Sequence, residues 1–124
     1  MYSDKTMNIR TPVALWLATA GYMALIYFLS SRHLQIPSQL PEYFDKLAHV
    51  LLYMPLAFLF FRAMKRSGFH KYVFFISFLL AGVYGITDEV HQSFVPGRDA
   101  APADVVADFI GSIIGSYLAC KVES

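Results

Sequence analysis

Four long apolar runs separated by short polar stretches make up most of the chain. Residues 11–30 (TPVALWLATAGYMALIYFLS) carry no formal charge, and about 20 such residues suffice to cross a hydrocarbon core of roughly 30 Å as a helix. Lys5 and Arg10 ahead of this run, with Ala18-Thr19-Ala20 inside it, also suit a secretory signal. The apolar stretch continues through Phe28, beyond the usual signal core of about 7–15 residues, so a retained helix is expected. Residues 45–64 form a second span, in which Pro55 removes a backbone donor and should bend the helix. The third span covers residues 72–92. Its strongly apolar part, YVFFISFLLAGVYGIT, is only about 24 Å of helix at 1.5 Å per residue. One more turn is needed to reach full thickness, and that turn takes in Asp88, Glu89 and His91. The fourth span, residues 103–120, is similarly short unless Asp104 and Asp108 belong to it. The expected fold is all-α: a single-domain integral membrane four-helix bundle over residues 1–124, with no internal repeat.

Lys and Arg in the loops set the expected orientation. With the N-terminus in the cytoplasm, the inner side receives Lys5, Arg10, Arg62, Lys65, Arg66, Lys71 and Lys121. The outer side receives Arg32, Lys46 and Arg98. This bias places both termini in the cytoplasm.

The polar residues then gather on one level. The second helix starts there with Asp45, Lys46 and His49; the third ends there with Asp88, Glu89, His91 and Gln92; the fourth begins there with Asp104 and Asp108. Asp45 and His49, Asp88 and Gln92, and Asp104 and Asp108 are each four apart, so each pair shares a helix face. Gly111-Ser-Ile-Ile-Gly115 is a small-xxx-small pattern that permits close helix contact and would carry Asp108 inside rather than toward lipid. A charge at mid-membrane costs about 2.5–3.5 kcal/mol on insertion scales, whereas each Leu, Ile, Phe or Val contributes only about −0.3 to −0.6 kcal/mol. The acids therefore belong near the interface, in a pocket, or paired with Lys46, Arg98 or a histidine.

Composition agrees with this picture. The chain is 56% hydrophobic and 15% charged, where soluble domains carry about 25% charged residues. A net charge of +1 leaves no basic face for nucleic acid once the membrane flanks are accounted for. The single cysteine, Cys120, excludes an intrachain disulfide.

Each motif also admits a plain structural use. Asp45 suits a helix N-terminus, Lys46 can snorkel to the interface, and Asp104 after Pro102 suits the start of the fourth helix. Asp88 and Glu89 are different, because acids in the last helical turn oppose the C-terminal dipole. Capping does not account for Asp108, about 6 Å deeper than Asp104. Pro96-Gly97 signals a turn, with Phe94 seating it in the interface, Arg98 clamping the acids or facing an anionic headgroup, and Asp99 a solvated charge. The chain has no His-x-x-x-His or paired-cysteine spacing. Neither a metal nor another cofactor is expected, although His49, His91 and the carboxylates could converge.

The stretches DKLAH at 45–49, DEVHQSFVPGRDAAPAD at 88–104 and DFIGSIIG at 108–115 resemble the VanZ-like family of small bacterial membrane proteins. That family's pattern is D-K-x-x-H, then D-E-x-x-Q-x-F-x-P-G-R, then an Asp, then a polar residue before G-x-x-x-G. The family commonly has Asn where Asp108 stands, and a hydroxyl residue near Ala100 and Ala101. The resemblance implies a cell-envelope role, since the founding member lowers sensitivity to the lipoglycopeptide teicoplanin.

Three functions are compatible with the residues. The first is a non-enzymatic envelope protein that binds a lipid-linked precursor, a lipophilic antibiotic or an envelope partner through Asp45, Lys46, His49, Asp88, Glu89, Gln92, Arg98, Asp104 and Asp108. The second is an enzyme acting on a lipid phosphate or glycolipid headgroup, with Asp88, Glu89 or His91 as general acid or base. The third is a proton-linked transporter or flippase component, which requires an oligomer because four short helices cannot readily enclose a pathway.

Overall fold

Every apolar run folds as one helix. The computed structural model describes residues 10–31, 43–96 and 101–123. Its elements are α1 (Arg10–Ser31), α2 (Tyr43–Arg66), α3 (Val73–Gln92) and α4 (Pro102–Glu123). They contain 22, 24, 20 and 22 residues, or about 30–36 Å each. All four are long and apolar enough to cross a membrane, and the described residues contain no strand. The expected spans are reproduced with ends extended by one to three residues, apart from α3, which starts one residue later at Val73.

The distribution of side chains is that of a protein solvated by lipid. Leu17, Phe28, Leu51, Phe75, Val83, Val106 and Val122 face outward. The buried positions of α3 and α4 include many small and polar groups: Ser77, Ala81, Gly85, Ser112, Gly115 and Ser116. Apolar side chains gain little by leaving lipid for protein, so close packing and interhelical hydrogen bonds carry the association. Ser77 and Ser116 share such a bond at 2.7 Å.

The closest approach is between α2 and α4. A Cβ on Gly111 would overlap the Val50 carbonyl, and one on Gly115 would overlap the Met54 carbonyl. The two glycines therefore act as expected from their spacing, letting α4 lie directly on the α2 backbone. Helices α2 and α3 both touch every other helix, whereas α1 and α4 do not meet. The α2–α3 pair is thus flanked by α1 on one side and α4 on the other.

Pro55 lies inside α2. A proline removes a donor and crowds the carbonyls one turn back. Tyr22 on α1 donates its hydroxyl to the neighbouring Leu52 carbonyl, and Tyr84 on α3 donates to the Met23 carbonyl at 2.7 Å. These two phenols stitch α1 to the α2–α3 pair around a mid-bundle core of Ile26, Tyr53, Leu56, Ala57, Phe60 and Ala81.

At one end of the bundle, Phe61, Met64, Val73 and Ala119 form a second apolar plug, beyond which Arg62 donates to Glu123 at 2.7 Å. Helix α2 stops there because Gly68 adopts φ 101°, so that its N–H reaches the Lys65 carbonyl and the Phe69 N–H reaches that of Met64. This is a Schellman ending, which favours glycine. The polar residues occupy the opposite end.

Candidate functional site

Alternation of direction brings the end of α1, the start of α2, the end of α3 and the start of α4 to one level. Lys46, His49 and Tyr53 descend one face of α2, each about a turn below the last. Asp104, Asp108 and Ser112 descend the facing side of α4, and Gly85, Asp88 and Gln92 line α3. Of the polar residues at this end, His49, Asp88, Glu89, Gln92, Asp104 and Asp108 are buried, although they sit in a bundle whose exterior is apolar.

The shallow part of the site is built around Lys46. Its ammonium lies 2.6 Å from Asp104 Oδ1 and 3.1 Å from Asp45 Oδ2. Below it, His49 bridges two acids of α4: Nδ1 is 2.8 Å from Asp108 Oδ1, and Nε2 is 3.6 Å from Asp104 Oδ2. The first is a hydrogen bond; the second is too long to be one. Asp104 thus combines its place at the start of α4 with membership of the buried network.

A second part is built around Asp88. Ser30 of α1 donates to Asp88 Oδ1, and Gln92 Nε2 reaches Ser30 Oγ at 3.4 Å. The Tyr53 hydroxyl and Asp108 Oδ2 are buried in the same region, and neither has a hydrogen-bond partner among the described residues. Glu89 accepts the backbone N–H of Ala101 and so ties the end of α3 to the start of α4.

His91 takes a separate path. Its ring stacks on Tyr27 at a centroid distance of 4.3 Å, and its Nε2 is 2.8 Å from Ser31 Oγ on the exposed side of α1. Of the three candidates for acid–base work, Asp88 and Glu89 are thus in the buried cluster and His91 stands outside it. Arg98 and Asp99 lie outside the described residues. Phe94 projects outward, 80% exposed, beside this polar end.

Three contributors carry no signal of their own in the sequence. Ser30 and Ser31 end an uncharged span, where serine is unremarkable, and only the packing of α1 against α3 makes them partners of Asp88 and His91. Tyr53 reads as one aromatic among many. Its spacing from His49, four residues, would have placed it on the polar face had the Asp45–His49 periodicity been followed one turn further.

Five carboxylates (Asp45, Asp88, Glu89, Asp104 and Asp108) meet Lys46 and His49 in this end of the bundle. An excess of acid in a low-dielectric setting persists only if protons or further cations offset it. The arrangement is therefore suited to receiving a cation, a proton, or a ligand that brings one.

Next to the cluster, α2 and α4 enclose an open groove of about 510 Å³, within the range of about 300–1,000 Å³ typical of small-molecule sites. Leu47, Val50, Val106, Ala107 and Ile110 line it, and Lys46 stands at its polar rim. An apolar channel that opens on a charged cluster matches an amphiphile in shape and in polarity.

A family model described as VanZ/LLP1 matches residues 4–122, nearly the whole chain. No curated protein and no solved structure shows a significant match.

Proposed function

The chain belongs to the VanZ-like family, and from that premise we propose that it is a cell-envelope protein that binds a lipid with a phosphate-bearing headgroup. The tail lies in the α2–α4 groove and the headgroup meets Lys46 at the rim. The observation that carries this reading is the continuity of the apolar groove with the polar cluster through that one residue. Lys46 is 38% exposed at its side chain, so its ammonium can reach an anion at the rim, at the expense of its bonds to Asp45 and Asp104.

In this reading the protein lies in the bacterial cytoplasmic membrane with both termini inside and the polar site on the extracytoplasmic side. The excess of Lys and Arg around Arg62, Lys65, Arg66 and Lys71, at the end opposite the cluster, supports that orientation. The ligand is a lipid-linked envelope precursor or an ordinary acidic phospholipid. Any influence on lipophilic glycopeptides of the teicoplanin type follows from occupancy of this site.

Native mass spectrometry of the purified protein distinguishes the two ligand sources. A polyprenyl phosphate, a diacyl phosphatidic acid and a phosphatidylcholine are offered in equal amounts. The phosphate monoesters are expected to be retained over phosphatidylcholine, the better-bound of the two naming the source. Val106→Trp, which fills the groove from its lipid-facing wall, is expected to abolish that preference. Equal retention of all three lipids, or a preference unchanged in Val106→Trp, overturns the reading.

A further inference from the structure

We propose that Asp45, His49 and Asp104 form a binding site for a divalent transition-metal cation, which bridges the protein to the phosphate of the bound lipid. The sequence gives no reason to expect a metal; the geometry does. One ligand atom from each of these three side chains lies within 4.8 Å of the other two. In a shell of 2.0–2.2 Å bonds, neighbouring ligands sit about 3–3.5 Å apart. Asp45 is 39% exposed at its side chain, which leaves it room to move toward the other two.

His49 offers a nitrogen ligand beside the two acids. Its side chain is nine-tenths buried. With Nδ1–H donated to Asp108, a neutral imidazole presents Nε2 as a bare lone pair. That nitrogen makes no hydrogen bond among the described residues and faces the Asp104 carboxylate across 3.6 Å. Two acceptors opposed in a buried place repel each other unless a positive centre, a proton on Nε2 or a metal ion, lies between them. A carboxylate that orients a histidine from behind while its other nitrogen takes a metal is a recurrent arrangement, in which the acid fixes the tautomer and raises ligand basicity. Asp108 stands in that position.

Lys46 is the resident cation, its ammonium bonded to Asp104 and Asp45. A divalent ion would replace one positive charge by two and add a contact to His49 that the ammonium does not make. The displaced Lys46, at the rim of the groove, would then be free to meet the phosphate alongside the metal. One imidazole with two carboxylates, and open positions for phosphate oxygens, suits Mn²⁺ or Zn²⁺ better than Ca²⁺. The bridging role rests on the phosphate-lipid reading above; the metal site itself does not.

The test has two arms. In the first, Mn²⁺ alone is titrated into the detergent-purified protein and free Mn²⁺ is followed by electron paramagnetic resonance. A single saturable site is expected, weakened about tenfold or more in Asp45→Asn and His49→Gln. Lys46→Met, which removes the competing ammonium, is expected to bind as tightly or more tightly. Circular dichroism confirms that each variant keeps its helices. The absence of saturable binding to the parent protein, or weaker binding in Lys46→Met, overturns the site.

In the second arm, retention of polyprenyl phosphate and phosphatidic acid is compared with Mn²⁺ and with EDTA. Mn²⁺ is expected to increase retention several-fold in the parent protein and not in Asp45→Asn. Equal retention under both conditions overturns the bridge and leaves groove binding intact. A protein that binds Mn²⁺ yet retains neither lipid overturns the phosphate-lipid reading and leaves the metal site standing.

Discussion

Gly85 on α3 lies directly against Asp108 on α4, so that a Cβ at position 85 would come within 2.7 Å of Asp108 Oδ2 and 2.9 Å of its Cβ. The missing side chain is what lets a carboxylate sit between two helices. Because Asp108 also holds His49 at 2.8 Å, displacement at residue 85 is transmitted to the whole cluster. Gly85→Ala is expected to cost about 1–3 kcal/mol through overpacking and to impair lipid binding. Thermal unfolding in detergent and the lipid-retention assay measure the two effects. A variant that kept both would show that the cluster tolerates movement of Asp108.

The α2–α4 contact predicts an asymmetry among glycines. Gly111 and Gly115 face the rigid carbonyls of Val50 and Met54, whereas a Cβ at Gly21 would meet nothing within 4 Å. Gly115→Ala should therefore force the two helices apart and lower the melting temperature by an amount corresponding to about 1–3 kcal/mol. Gly21→Ala should be neutral or stabilise by up to about 1 kcal/mol. A comparison of the two melting curves under one detergent condition decides it.

Asp108→Asn keeps an oxygen that accepts from His49 Nδ1–H, and is expected to leave folding and lipid retention close to those of the parent. Asp108→Leu removes the acceptor and strands the imidazole in a buried site, a loss of about 1–3 kcal/mol for an unsatisfied polar group. If Asn proved as damaging as Leu, the charge of Asp108 rather than its hydrogen bond would be the essential property. Such a result, combined with loss of proton flux in liposomes, would favour a proton-relay role.

Tyr22→Phe removes the donor that reaches the Leu52 carbonyl beside Pro55. Interhelical hydrogen bonds within membranes average about 0.6 kcal/mol by double-mutant cycles, so a small destabilisation is expected. The effect should be larger than that of Tyr27→Phe, whose ring stacks on His91 at the surface. Denaturant titration of the two variants provides the measurement.

The orientation is checked with the single native thiol. Cys120 is exposed near the end of α4, on the side assigned to the cytoplasm. A membrane-impermeant maleimide should leave it unmodified in intact spheroplasts and label it after permeabilisation. Labelling before permeabilisation would invert the bundle and turn the polar site inward.

Much of this protein was legible in one dimension. Four apolar runs of bilayer length require four helices, because a backbone in hydrocarbon must satisfy its own hydrogen bonds. Alternation of direction then brings the DKLAH, DEVHQ and ADVVAD segments to one level whatever the sidedness. The spacing of Gly111 and Gly115 announced a close helix contact, and it is found on α2. These features depend on local periodicity and chain direction, which the order of residues contains.

Which acid meets which cation is another matter, since it depends on the rotation of each helix about its axis and on the order of helices around the bundle. His49 between Asp104 and Asp108, Ser30 against Asp88, and the turn of His91 away toward Tyr27 were settled only when the helices packed. The groove beside Lys46 likewise belongs to neither α2 nor α4 alone. The amino-acid order by itself determined that polar groups would share one end of a membrane bundle. Tertiary packing decided their pairing, because contacts of a few ångströms between distant segments follow from side-chain fit rather than from periodicity.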